Sequence, residues 1–239
     1  MTLSEVADTW QNTPEAHQRI FELFTEQNAS IPQIASHRKW IEDNRYGFGE
    51  RGFHGVWYQL AKELPDGFSA LEVGVFRGQS ISAIDLAAQI EGKKCTVYGL
   101  SPFNGADGDY YEKRNNYADD VEYLFSLFNG NRRPVLIHGY STDVGAKAEA
   151  ALFAPFDMIY LDACHQGEYP KLDINYYAPL VKVGGYFLSD DSVVGMNVPS
   201  WFFQGFVEAS KACDDYFSNN FQWRFLFNVM HLRVYKKVL

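Results

Sequence analysis

Phe156-Asp157-Met158-Ile159-Tyr160-Leu161-Asp162-Ala163-Cys164-His165 and Gly184-Gly185-Tyr186-Phe187-Leu188-Ser189-Asp190-Asp191 repeat one pattern. In each, an apolar run of strand-forming residues stops abruptly at carboxylates. Lys171 to Val181, between them, reads as a helix, so the segment spells strand, helix, strand. A parallel pair joined by a helix carries ligands in the crevice outside the carboxyl ends of its strands. Asp162, His165, Asp190 and Asp191 are therefore expected to meet in one crevice. Three carboxylates with an imidazole suit a hard divalent cation beside a base. The plainer alternative is that Asp162 caps the next turn and that Asp190 or Asp191 caps the helix that follows.

The same alternation extends in both directions from this segment. Strands are expected at Phe68 to Val75, Cys95 to Leu100, Pro134 to His138, Met158 to Leu161 and Tyr186 to Ser189. Helices are expected at Ser80 to Ile90, Asp119 to Phe128, Asp143 to Leu152 and Ser200 to Phe217. The tail from Phe221 to Val238 reads as two β runs meeting near Asn228. Strands alternating with helices give an α/β, doubly wound, mostly parallel sheet, here of seven strands. Two adjacent strands at the end imply one antiparallel strand in the edge region.

Residues 1–66 show no strand pattern. Thr13 with Pro14 starts a helix, a second surrounds Trp40 and Ile41, and Val56 to Leu64 forms another. The stretch Asn44 to Gly55, rich in glycine and aromatics, reads as a loop whose Arg45-to-His54 part is an ordinary connector, or else lines the acceptor site or forms a lid. We therefore expect an N-terminal helical cap over residues 1–66 and one compact unit over residues 67–239. The net charge of -9 disfavours a nucleic-acid partner, which would require a basic surface. Three scattered cysteines make no disulfide framework, and no apolar run approaches membrane-spanning length. A cytoplasmic chain without a membrane partner is the expectation, and aromatic residues of the cap could mediate a homo-oligomer.

The first strand leads into Glu72-Val73-Gly74-Val75-Phe76-Arg77-Gly78-Gln79-Ser80. Gly74 permits the turn at the strand end and Gly78 a close approach of the next helix. This is a weak signal by itself, equally satisfied by a tight structural turn. Glu72 adds a group able to hold an ammonium. The Gly-x-Gly-x-x-Gly fingerprint of nicotinamide dehydrogenases is absent.

With these motifs in place, the chain from about Phe68 onward resembles the class I S-adenosylmethionine-dependent methyltransferases. Within them it is most similar to the metal-dependent O-methyltransferases of the macrocin O-methyltransferase type, which modify sugars and phenols. The resemblance implies that Glu72, Gly74, Gly78 and Ser80 surround the methionine part of S-adenosylmethionine. Gly139, Tyr140 and Ser141 would lie at the adenine, and Asp162 would also border the cofactor. Such proteins usually carry an acidic residue for the ribose where this chain has Ser101; Asp107 or Asp109 could compensate. The resemblance further implies that Asp162, Asp190 and Asp191 hold Mg²⁺ or another divalent cation. Asp162 and His165 would be the catalytic pair, with His165 the general base for a small hydroxylated acceptor. Two alternatives stay open: a different metal-dependent reaction on the same fold, such as hydroxylation, and a non-catalytic S-adenosylmethionine-binding module.

Other residues carry plainer expectations. Cys164 is read as a small packed residue and His138 as structural. His17 and His37 are placed on solvated helix faces. Trp201 to Phe206 is read as an aromatic stretch of the last helix, serving the core or a subunit contact.

Overall fold

The computed structural model describes residues 2–104 and 116–239. Asp107 and Asp109 lie outside the described residues. The chain begins with helices α1 (Leu3–Thr9), α2 (Pro14–Ser30), α3 (Pro32–Asn44) and α4 (Arg51–Glu63). Thr2 and Glu5 cap α1 reciprocally, and the Thr13 hydroxyl accepts from the Ala16 N–H ahead of Pro14. There follow β1 (Phe68–Val73), α5 (Gln79–Ile90), β2 (Cys95–Ser101), α6 (Tyr117–Phe128) and β3 (Val135–His138). Next come α7 (Val144–Leu152), β4 (Phe156–Leu161), α8 (Tyr169–Tyr177) and β5 (Val181–Ser189). The described chain closes with α9 (Val207–Phe217), β6 (Trp223–Val229) and β7 (Leu232–Lys237).

The strands form one sheet in the order β3-β2-β1-β4-β5-β7-β6. The first five are parallel, and β7 runs antiparallel to both neighbours. The expected seven-stranded, doubly wound sheet is the one observed. Successive β4 side chains point to opposite faces. Met158 and Tyr160 join the core beneath α2 and α4, while Ile159 and Leu161 join the core beneath α8 and α9. Trp57 of α4 is fully buried against Tyr160, with ring centroids 4.8 Å apart. The N-terminal helices thus pack into the same apolar layer as the sheet.

Several local expectations need correction. The helix expected from Ser200 starts only at Val207, because Pro199 and Gly205, the latter at φ +75°, bend the chain around the end of β5. The helix expected from Lys171 to Val181 begins at Tyr169 and gives way at Tyr177 to a 3₁₀ turn containing Pro179. α4 starts at Arg51, so His54 belongs to a helix rather than to a loop. The β6–β7 turn falls at Met230-His231, not at Asn228. His17 and His37 are fully buried instead of solvated, and Cys164 is exposed instead of packed.

His37 is buried for a specific reason. Its Nδ1 lies 3.0 Å from His54 Nε2, and its Nε2 lies 3.0 Å from the Ser82 hydroxyl. Ser82 donates to Asn129, which donates to Asp85, which in turn accepts from Arg132. This chain of polar side chains ties α4 and α3 to α5 and to the loop after α6. Buried polar groups are tolerated when such partners satisfy them.

Candidate active site

The carboxyl ends of β1, β2, β3, β4 and β5 lie along one rim of the sheet. In the β1–α5 turn, Gly74 has φ +103° and its α-carbon abuts the Asp162 backbone; a Cβ there would come 2.0 Å from the Asp162 carbonyl oxygen. The turn after β1 and the end of β4 are therefore pressed together. Gly78, at φ +88°, precedes α5 and lets it approach Val121. Glu72 is buried at the end of β1, and its Oε2 has no hydrogen-bond partner. Burial, despite a bond from Ser80 and with repulsion from Asp190, pushes the Glu72 carboxyl up to about 8.

Ser101 ends β2 opposite His138 of β3, and its carbonyl accepts from the Gly139 N–H at 3.1 Å. Tyr140 is exposed, its N–H held by Asp143, and the Ser141 hydroxyl donates to Asp173 at 2.8 Å. The proposed methionine, ribose and adenine positions therefore follow one another along the rim.

Next to them, the carboxylates converge as expected. His165 Nε2 lies 3.1 Å from Asp191 Oδ2 and 3.6 Å from Asp162 Oδ1. Neither Asp190 nor Asp191 caps a helix, since the next helix starts at Val207, and Asp162 lies outside α8, which begins at Tyr169. Asp191 adopts φ +53°, a left-handed conformation uncommon outside glycine. It is locked there by Phe206, whose N–H donates to the Asp191 carbonyl at 2.7 Å. Phe206 also stacks flat on the His165 ring, with centroids 5.1 Å apart and planes 6° from parallel. The bend that replaces the expected helix thus clamps His165 and Asp191 in place.

Two participants escaped sequence reasoning. Tyr160 is buried and its hydroxyl donates to Asp190 at 2.6 Å and lies 3.1 Å from Asp162 Oδ2. A signal for it exists: in a strand, residues i and i+2 share a face, so Tyr160 follows Asp162 to the same side. His231 is the second, with Nε2 3.5 Å from Asp190 Oδ1 and 3.6 Å from Asp191 Oδ1. Only the strand order reveals it, because β6 runs parallel to β5 and delivers its turn to the same rim.

The electrostatics of this cluster are strained. Burial and the repulsion of Asp190, Asp191 and Glu72 raise the Asp162 carboxyl well above the ordinary aspartate range. Burial and Asp190 push Asp191 up to about 8. Burial lowers His165, which favours its neutral, proton-accepting form. So many acidic groups facing one another match the demand of a cation, and the oxygen-rich donor set suits a hard divalent one.

A sheet in the order 3-2-1-4-5-7-6 with strand 7 antiparallel is the class I S-adenosylmethionine-dependent methyltransferase fold. A family model described as a methyltransferase domain matches residues 71–192, just over half of the chain, and the chain belongs to that family. Compared by sequence with curated proteins, it has no match. Among solved structures it is similar to the S-adenosylhomocysteine-bound methyltransferase PaMTH1 of Podospora anserina. The two are 15% identical over 86% of this chain and 87% of that one, with a TM-score of 0.57. An O-methyltransferase of Bacillus cereus in complex with S-adenosylhomocysteine is 15% identical over 92% of this chain and 91% of that one, with a TM-score of 0.52. CalS11, a TDP-rhamnose 3'-O-methyltransferase of calicheamicin biosynthesis, is 14% identical over 95% and 96%, with a TM-score of 0.53. At these identities the likeness is one of fold.

Proposed function

We propose that the chain methylates a hydroxyl of a small molecule, a sugar or a phenol, with S-adenosylmethionine as donor and a divalent cation at Asp162, Asp190 and Asp191. The observation that carries this reading is the convergence of Asp162, His165, Asp190 and Asp191 at adjacent strand ends, beside the rim positions that fit the cofactor. Two features of the chain match the absent groups. Glu72 presents a buried carboxyl oxygen without a hydrogen-bond partner, suited to an ammonium, and among the described residues no lysine or arginine pairs with the clustered aspartates.

When bound, the donor supplies an electrophilic methyl carbon and the cation supplies charge that acidifies a nearby hydroxyl. The chain's own residues do the rest. His165, held flat by Phe206 beside Asp162 and Asp191, accepts the hydroxyl proton. As the new oxygen–carbon bond forms, the carbon–sulfur bond breaks, leaving S-adenosylhomocysteine and a methyl ether. The Tyr160 hydroxyl fixes Asp190, and the left-handed Asp191 backbone fixes its carboxylate. Catalysis here is chiefly alignment of oxygen, carbon and sulfur, together with exclusion of water. The fold resemblance to CalS11, a sugar O-methyltransferase by its description, supports the choice of a sugar acceptor.

Titration calorimetry with S-adenosylhomocysteine, in EDTA and in excess Mg²⁺, tests the reading. We expect micromolar binding, about -8 kcal/mol, followed by cation-dependent methylation of hydroxylated sugars or phenols. Binding without turnover on any hydroxylated acceptor would point instead to the non-catalytic module, and no binding at all would remove the donor from the reading.

A further inference from the structure

We propose that His231 is a nitrogen ligand of the cation centre, together with Asp190 and Asp191, and that it biases the centre toward a first-row transition ion over Mg²⁺. This rests on the cation reading given above and extends it to a residue outside the aspartate set.

The first argument is distance. His231 Nε2 stands 3.5 Å from Asp190 Oδ1 and 3.6 Å from Asp191 Oδ1. Those separations exceed the usual ~2.7–3.2 Å of an N–H···O bond. They match neighbouring ligand atoms on one ion: bonds of about 2.1 Å place ligand atoms about 3.0 Å apart in an octahedron and about 3.4 Å in a tetrahedron. One ligand atom from each of Asp190, Asp191 and His231 falls within 4.8 Å of the others.

The second argument is that the ring is held in place beside the two carboxylates. His231 is 7% exposed. Phe53 of α4 and Phe203 pack edge-on against it, with centroids at 4.9 and 5.4 Å. Its carbonyl accepts from the Ser192 N–H at 3.1 Å, which pins the β6–β7 turn to the end of β5. Nδ1 is buried and has no partner.

The third argument is ligand chemistry. Oxygen donors alone suit Mg²⁺, Ca²⁺ and Mn²⁺, whereas imidazole favours the later first-row ions, in keeping with the Irving–Williams order. One imidazole beside the Asp190 and Asp191 carboxylates therefore tilts the centre toward ions such as Co²⁺ or Zn²⁺.

The probe is Co²⁺ alone, followed by its visible d–d absorption in the whole chain and by competition with Mg²⁺. His231→Ala and the milder His231→Gln are expected to lower Co²⁺ affinity about tenfold or more while leaving Mg²⁺ affinity nearly unchanged. Equal losses for both ions, or no loss, would overturn the proposal while leaving the cation reading intact. Retention of Co²⁺ by Asp191→Ala would instead sink the cation reading itself. Pulsed electron paramagnetic resonance of the Mn²⁺-loaded native chain needs no variant to fold. An imidazole nitrogen coupling that survives His165→Ala supports the assignment, and its absence from the native spectrum counts against it.

Discussion

His165 is fixed from two directions: the Phe206 ring lies on its face and Asp191 meets its Nε2 at 3.1 Å. In the proposed role of proton acceptor, a residue so oriented contributes to turnover far more than to stability, because its surroundings are built by other residues. His165→Ala is expected to reduce methyl transfer roughly 10²–10⁴-fold while S-adenosylhomocysteine affinity stays close to that of the native chain. Steady-state rates paired with calorimetry separate the two; undiminished turnover would take His165 out of the base role. The convergence of Asp162, Asp190, Asp191 and His165 was legible from their positions at strand ends. Their spacings are local, fixed by two strands and one connecting helix. Tyr160 was readable in principle by alternation, but a tyrosine inside an apolar strand looks like any other core residue until its hydroxyl is seen on Asp190.

The element most unlike its sequence expectation is the helical layer carrying His37 and His54. His37 reads as solvated on a helix face and His54 as part of a loop, yet α3 and α4 bring these two together, fully buried, at 3.0 Å. Burial, reinforced by the neighbouring Arg38, lowers His37 to about 3, and burial with His37 and Arg38 takes His54 well below its ordinary value. Both are therefore neutral in the fold. An unfolded chain protonates them near 6.5, so their contribution to stability is complete above that pH. It is lost as pH falls toward the folded values, by at most about 1.4 kcal/mol per pH unit for each ring. The site carboxylates act in the opposite sense: Glu72 and Asp191, raised to about 8, cost stability as pH climbs from the ordinary carboxylate range to that value. Comparison with His54→Asn isolates the histidines. The native chain is more stable than this variant at pH 7, and the gap between their urea midpoints is expected to narrow toward pH 5. A constant gap would mean that the pair does not govern the acid response.

At the scale of the molecule, the four N-terminal helices are joined to the sheet through Trp57, buried against Tyr160, and through Phe53, packed on His231. The N-terminal helices therefore pack directly against Tyr160 and His231 of the candidate site. Trp57→Ala should cost about 3–5 kcal/mol, read from urea unfolding. If cap and sheet fold as one unit, fluorescence and far-ultraviolet dichroism will report a single coincident transition in both proteins. Two separated transitions would show that residues 1–66 unfold independently.

The sequence by itself determined the class of fold, the alternation of strands and helices, and the placement of Asp162, His165, Asp190 and Asp191 at or just beyond the ends of β4 and β5. Those depend on period-two and helical patterning and on spacings of a few residues, which local sterics and the hydrophobic effect dictate. Only the tertiary structure decided what surrounds them. The β6–β7 turn brings His231 to Asp190 across about forty residues of chain, and the Pro199–Phe206 bend replaces a helix to lay Phe206 on His165. It also decided that His37 is a buried partner of His54. Such contacts are long-range, set by how sheet and helices close on one another, and no local pattern encodes them.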